Sequence, residues 1–112
     1  MKPALSVLLI EDDPNVRLGC EQAMQLAGIP VIAVASAEEG QRQLDADFAG
    51  IVVTDMRLPG MDGMALLRWV NQLTPDLPVI IITGHGDVTL AVEAMRSGAY
   101  DFMQKPFSTH DL

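Results

Sequence analysis

The sequence predicts an α/β domain built on one open, parallel β-sheet with helices on both faces. Three observations predict it. Short apolar runs alternate with amphipathic segments from end to end, the runs are rich in β-branched residues without strict in/out alternation, and Gly, Pro, Ser or Asp punctuates the joins. Strands covered on both faces by crossover helices have this character, because neither face meets water. Right-handed crossovers then distribute the helices over the two sides.

Each element follows in chain order. Leu5, Val7, Leu8, Leu9 and Ile10 form the first strand. Pro14 is placed to open a helix, with Val16, Cys20, Met24 and Ala27 at helical spacing and Gly28 stopping it. Val31 to Val34 is the second strand. Ser36 followed by Glu38 and Glu39 reads as an N-cap with acidic residues in the first turn, the sign that the helix dipole favours. Ile51 to Val53 is the third strand, and Leu66, Leu67, Val70 and Leu73 make a helical stripe that Pro75 ends. Val79 to Ile82 is the fourth strand. Asp87 caps a fourth helix with Val88, Ala91, Val92 and Met95 on its apolar side and Gly98 at its end. Tyr100 to Met103 is a weaker fifth strand.

Length and composition set the limits. The 112 residues, 49% apolar with one Cys, suit one globular domain able to bury a core without disulfides or a Cys-based zinc site. No apolar run approaches the roughly 20 residues that span a bilayer, and the N-terminal stretch is too short for a signal peptide, so a cytoplasmic protein is expected. Seven Lys and Arg against fifteen Asp and Glu give a net charge of -8, which repels a phosphate backbone and argues against direct DNA binding.

In open α/β sheets, ligands bind beyond the carboxyl ends of the strands. The first run ends in Glu11-Asp12-Asp13, the third in Thr54-Asp55 and the fourth in Thr83-Gly84, and the fifth leads to Lys105-Pro106. Parallel strands bring these ends to one edge, so Asp12, Asp13 and Asp55 are expected to converge with Thr83 and Lys105 nearby. Carboxylates 4 Å apart repel by about 4 kcal/mol per pair at an effective dielectric near 20. Either a cation sits there or a pKa rises. Oxygen-only ligands favour a hard ion, Mg²⁺ with Mn²⁺ as its substitute. Asp55 can accept a phosphoryl group as an acyl phosphate. Asp13 is expected to ligate the metal directly and Asp12 through water, with the backbone carbonyl of Arg57 completing the protein side. Lys105 pairs with phosphoryl oxygens as a point charge, and Thr83 donates a hydrogen bond to the product.

These residues, in this order, resemble the receiver domain of bacterial two-component response regulators. The resemblance covers essentially the whole chain. It is carried by Leu9-Ile10-Glu11-Asp12-Asp13, by Thr54 to Gly63 with its Asp-x-x-x-Pro-Gly-x-Asp-Gly loop, by Thr83-Gly84-His85-Gly86-Asp87, and by Gly98 to Phe102 with Lys105-Pro106-Phe107. It implies a flavodoxin-like (CheY-like), doubly wound sheet of order 2-1-3-4-5. It further implies Asp55 as phosphoacceptor, Asp12 and Asp13 as the metal pair, Thr83 as switch hydroxyl, Phe102 as switch aromatic and Lys105 as the family's lysine, with phosphate from a sensor histidine kinase.

The stretches from Ala46 to Gly63 and from Thr83 to Phe107 are most similar to receivers of the nitrogen-regulation and C4-dicarboxylate-transport class. Those receivers precede an AAA+ activator of the alternative sigma factor; receivers attached to a helix-turn-helix domain look almost as similar. Family members continue through a fifth helix, and helix four, strand five and helix five commonly form a dimer face. Ser108 to Leu112 reads as an N-cap with almost no helix behind it. Residues 1–112 are therefore expected to be a receiver truncated at its C-terminus, its last helix largely missing and homodimerisation open.

The expected function is a phosphoacceptor switch, not an enzyme beyond self-catalysed phosphotransfer and slow autodephosphorylation, controlling a transcriptional output through helix four and strand five. The alternatives are a pseudo-receiver that binds partners without phosphate, and a haloacid-dehalogenase-type phosphohydrolase, whose Asp-x-Asp motif Glu11-Asp12-Asp13-Pro14 does not match. Before any switch is invoked, Phe102 reads as plain core, and His85 reads as an exposed loop residue.

Overall fold

The computed structural model describes residues 5–84 and 88–104. Lys105, Pro106, the segment 108–112, the loop residues His85 to Asp87 with the proposed Asp87 cap, and the side chain of Val88 lie outside the described residues.

The strands β1 (Ser6–Ile10), β2 (Val31–Val34), β3 (Gly50–Asp55), β4 (Val79–Thr83) and β5 (Asp101–Gln104) alternate with the helices α1 (Pro14–Leu26), α2 (Ala37–Gln43), α3 (Gly63–Leu73) and α4 (Val88–Arg96). All neighbouring strands pair in parallel in the order β2-β1-β3-β4-β5. This is the doubly wound sheet that the resemblance implies. Among the described residues no helix is long and apolar enough to cross a membrane.

Successive strand residues point to opposite faces, so each strand feeds two cores. Leu8, Ile10, Val52 and Ile81 pack beneath α2, α3 and α4, against Ala37, Leu66, Leu67, Val70 and Ala94. Val7, Leu9, Val53, Ile80 and Ile82 face the other way and meet Met24 of α1. Burial on both sides is the physical reason for the unbroken apolar runs. The third run extends further than its apolar residues suggest, because Thr54 and Asp55 still belong to β3.

Two stripes differ from expectation. Among the described side chains of α4, Ala91 is buried as its place on the stripe requires and Ala94 is buried with it, whereas Val92 and Met95 are 44% and 40% exposed. Small side chains let α4 lie close to the sheet, with Leu90 half-buried against the same core and Val92 and Met95 turned to solvent. In α1 only Met24 is fully buried; Cys20 is half-buried, and Val16 and Ala27 are exposed.

The α4 assignment predicts opposite responses on its two faces. Ala94→Leu should overpack the core and cost about 1–3 kcal/mol, whereas Met95→Ser should stay within about 0.5 kcal/mol; urea denaturation of both variants checks it.

Candidate functional site

The parallel register carries three chain segments to one edge of the sheet. Ile10 lies level with Thr54, Asp55 with Ile82 and Thr83 with Gln104. Glu11 and Asp12 follow β1, Asp55 closes β3, and Thr83 closes β4. Carboxylate oxygens of Glu11, Asp12 and Asp55 lie within 4.8 Å of one another. Glu11 is 1% exposed and Asp55 6%, while Asp12 is open to solvent. Two acidic groups withdrawn from water beside a third that remains in contact with it form a one-sided cradle. Its donors are all hard oxygens, which fits a dication that keeps several waters.

Asp13 does not belong to this group, which corrects the expected ligand pair. Its Oδ1 accepts the amides of Asn15 at 2.9 Å and Val16 at 3.3 Å, so it is the N-cap of α1, with Pro14 in the first helical position. The physical reason is the turn of the chain: it enters α1 immediately after Asp13 and aims that carboxylate at the helix amides. Glu11 takes the vacated place. The sequence does carry a signal for this, since Asp followed by Pro at a helix start is a cap signature and leaves Glu11-Asp12 as the pair before it. Arg17, one turn into α1, donates from its guanidinium to the Glu11 carbonyl at 2.9 Å and braces the same tip.

Asp55 is fixed by its own loop. Its Oδ1 accepts the Arg57 amide at 3.1 Å, an Asx turn, and the Met56 amide donates to the Ile82 carbonyl at 2.9 Å. The loop closes where the Gly63 amide donates to the Met56 carbonyl at 3.0 Å, and Asp62 caps α3 by accepting the Ala65 amide at 2.9 Å. Gly63 must be glycine: a Cβ there would stand 2.5 Å from the Asp55 carbonyl oxygen. Arg57 lies two residues beyond Asp55 with its side chain exposed. Beside it runs an open trough of about 610 Å³ lined by Asp12, Arg57, Pro59, Asp62, Leu90 and Glu93 among others.

Thr83 is 1% exposed, and its hydroxyl donates to the Met103 carbonyl of β5 at a long 3.4 Å. Phe102, level with Ile81, keeps 38% of its surface exposed, so it is not plain core. Val92, Met95 and Tyr100 are exposed as well, and α4 with β5 offers solvent an apolar set of side chains. Lys105 and His85 lie outside the described residues, and the structure assigns them no place in the site.

Comparison with known proteins gives a consistent picture. Residues 7–112 match the family model described as the response regulator receiver domain. The chain is 53% identical over all of its 112 residues to the C4-dicarboxylate transport transcriptional regulatory protein DctD of Rhizobium meliloti, of which it covers 24%. It is 39% identical over 99 residues, 88% of its length, to the DNA-binding transcriptional regulator NtrC of Klebsiella pneumoniae, covering 21% of that protein. The chain thus spans under a quarter of the length of these curated relatives. Among solved structures, a response regulator receiver domain protein from Clostridium thermocellum superposes with a TM-score of 0.91 at 33% identity, covering 96% of this chain and 87% of that one.

The carboxylate geometry separates two roles. Asp13→Ala should lower stability by about 0.5–2 kcal/mol through loss of the cap and leave divalent-cation affinity unchanged. Asp12→Asn should weaken that affinity at least about tenfold. Calorimetric Mg²⁺ titration and thermal denaturation of both variants check the pair.

Proposed function

Because this chain belongs to the response regulator receiver family, in the class of the nitrogen-regulation and C4-dicarboxylate-transport regulators, we propose that it is a switch thrown by phosphorylation of Asp55. The observation that carries this reading is the convergence of the Glu11, Asp12 and Asp55 carboxylates at the carboxyl edge of the sheet.

Glu11, Asp12 and Asp55, with the backbone carbonyl of Arg57, are the residues that would hold Mg²⁺, and Mn²⁺ in its place. When bound, the ion neutralises carboxylate and phosphoryl charge that would otherwise oppose the approach of an anionic donor. The chain's own residues do the rest. An oxygen of Asp55 attacks phosphorus, a new O–P bond forms, and the bond to the donor's leaving group breaks, with the histidine of a sensor kinase as the physiological donor. The Arg57 amide orients the nucleophile through its contact with Oδ1. Lys105 supplies a positive charge toward the phosphoryl oxygens, and the Thr83 hydroxyl turns from the Met103 carbonyl to donate to them.

The switch follows from that turn. Phosphorylation adds roughly two negative charges. Moving a two-state equilibrium from 1:99 to 99:1 takes about 5.5 kcal/mol of differential interaction, which a few charge-assisted hydrogen bonds supply. The Thr83 hydroxyl is held in place by only one long hydrogen bond among those described, so giving it up costs little. Phe102 repacks into the space released, and the α4–β5 surface with Val92, Met95 and Tyr100 changes shape. In a longer cytoplasmic regulator that surface governs an attached output domain, of the AAA+ type that acts on the alternative sigma factor, and pairing with a second copy uses the same face.

Acetyl phosphate with Mg²⁺ should add the mass of one phosphoryl group to the chain, and Asp55→Asn should abolish the gain. Uptake by the Asn variant would refute the assignment. Thr83→Ala should still take up phosphoryl but lose the accompanying amide chemical-shift changes in α4 and β5, which heteronuclear NMR reads directly.

A further inference from the structure

Glu38 is the second residue of α2, where an acidic side chain ordinarily serves the helix terminus. Its neighbours already do that. The Ser36 hydroxyl accepts the Glu39 amide at 3.1 Å, and Glu39 Oε2 accepts the Ala35 amide at 3.4 Å. Glu38 reaches away from its helix instead, and its Oε2 accepts the amide of Met61 at 3.3 Å, 23 residues along the chain.

The contact lands on a sensitive place. Gly60, beside Met61, has φ +74, and a Cβ there would stand 2.8 Å from the same Oε2, so the carboxylate lies directly against the turn. That turn belongs to the loop that begins with the Asp55–Arg57 contact and ends at Gly63, itself in close approach to the Asp55 backbone. The loop is anchored at both ends and through Leu58 and Met61 on the core, but Pro59, Gly60 and Asp62 are exposed, and Glu38 supplies a backbone contact within that exposed stretch.

We propose that Glu38 is a positioning residue for the Asp55 loop. By holding Met61 it keeps the Arg57 backbone at one distance from the Glu11, Asp12 and Asp55 carboxylates, and so sets divalent-cation affinity without touching the cation. The inference rests on the reading of Asp55 as phosphoacceptor.

The test uses the full chain with Glu38→Ala and Glu38→Gln. Glu38→Ala should raise the Mg²⁺ concentration for half-saturation, followed by amide NMR, about 3- to 10-fold, and Met61 amide exchange should accelerate several-fold. Phosphorylation by acetyl phosphate should slow by the same factor at limiting Mg²⁺ and recover at saturating Mg²⁺. Glu38→Gln keeps an acceptor oxygen and should restore all three readouts toward wild type. If Glu38→Ala lowers the melting temperature and leaves the Mg²⁺ midpoint unmoved, Glu38 serves only α2 and the proposal fails. If Glu38→Gln behaves like Glu38→Ala, charge and not the tether is responsible, which also overturns it. Should wild type take up no phosphoryl group, the phosphoacceptor reading fails, while Met61 exchange and the Mg²⁺ midpoint still decide the role of Glu38.

Discussion

The structure turns on the mutual repulsion of three carboxylates held together at one edge of a parallel sheet. At the 4.8 Å limit of their separation, each pair repels by about 3.5 kcal/mol at an effective dielectric near 20, and by less where Asp12 is screened by water. The fold does not allow the groups to separate. Glu11 and Asp55 are carried there by β1 and β3, whose inner residues are buried on both faces, and a one-residue slip of the register that aligns Ile10 with Thr54 would send each side chain into the opposite core. Hydrophobic burial thus sustains an unfavourable electrostatic arrangement, which is what an ion-binding and phosphoryl-accepting edge requires.

The surroundings of the cluster divide into parts that hold it and parts able to move. Asp13, Arg17 and Asp62 are committed to helix ends and to the backbone, the Asx turn at Arg57 orients Asp55, and Gly63 permits the return of the chain past it. On the other side Thr83 has a single long contact to β5 among the described hydrogen bonds, and the fully buried side chains described in α4 are Ala91 and Ala94, with Leu90 half-buried beside them. A helix whose fully buried side chains are small has less buried area to surrender when it shifts than one that buries several leucines. A rigid acidic side facing a lightly held β4–α4–β5 side is the mechanical form that a switch needs.

Much of this was legible in the residues. Val31 to Val34 is a strand with the bounds its apolar run suggests, Pro14 opens α1, Ser36 caps α2, and the helix stripe of Leu66, Leu67 and Val70 is buried as its spacing requires. The errors have physical causes. Three consecutive acids offer two possible pairs, and which one faces Asp55 depends on where the chain turns into α1, a point that Asp13-Pro14 marks as a cap. In α4 the expected stripe holds at Ala91, which is buried, but close packing against the sheet selects size over hydropathy, so Ala94 joins it inside while Val92 and Met95 are exposed. The Glu38 contact with Met61 joins segments 23 residues apart and has no local signature.

The central claim is that Glu11, Asp12 and Asp55 form one cation-binding group. Paramagnetic broadening by substoichiometric Mn²⁺, followed over the backbone amides, tests it most directly. Loss of the signals of Glu11, Asp12 and Asp55 to Arg57 ahead of all other acidic segments is the result expected. Sharp signals at Glu11 and Asp55 while another acidic stretch such as Asp45 to Asp47 broadens would contradict it.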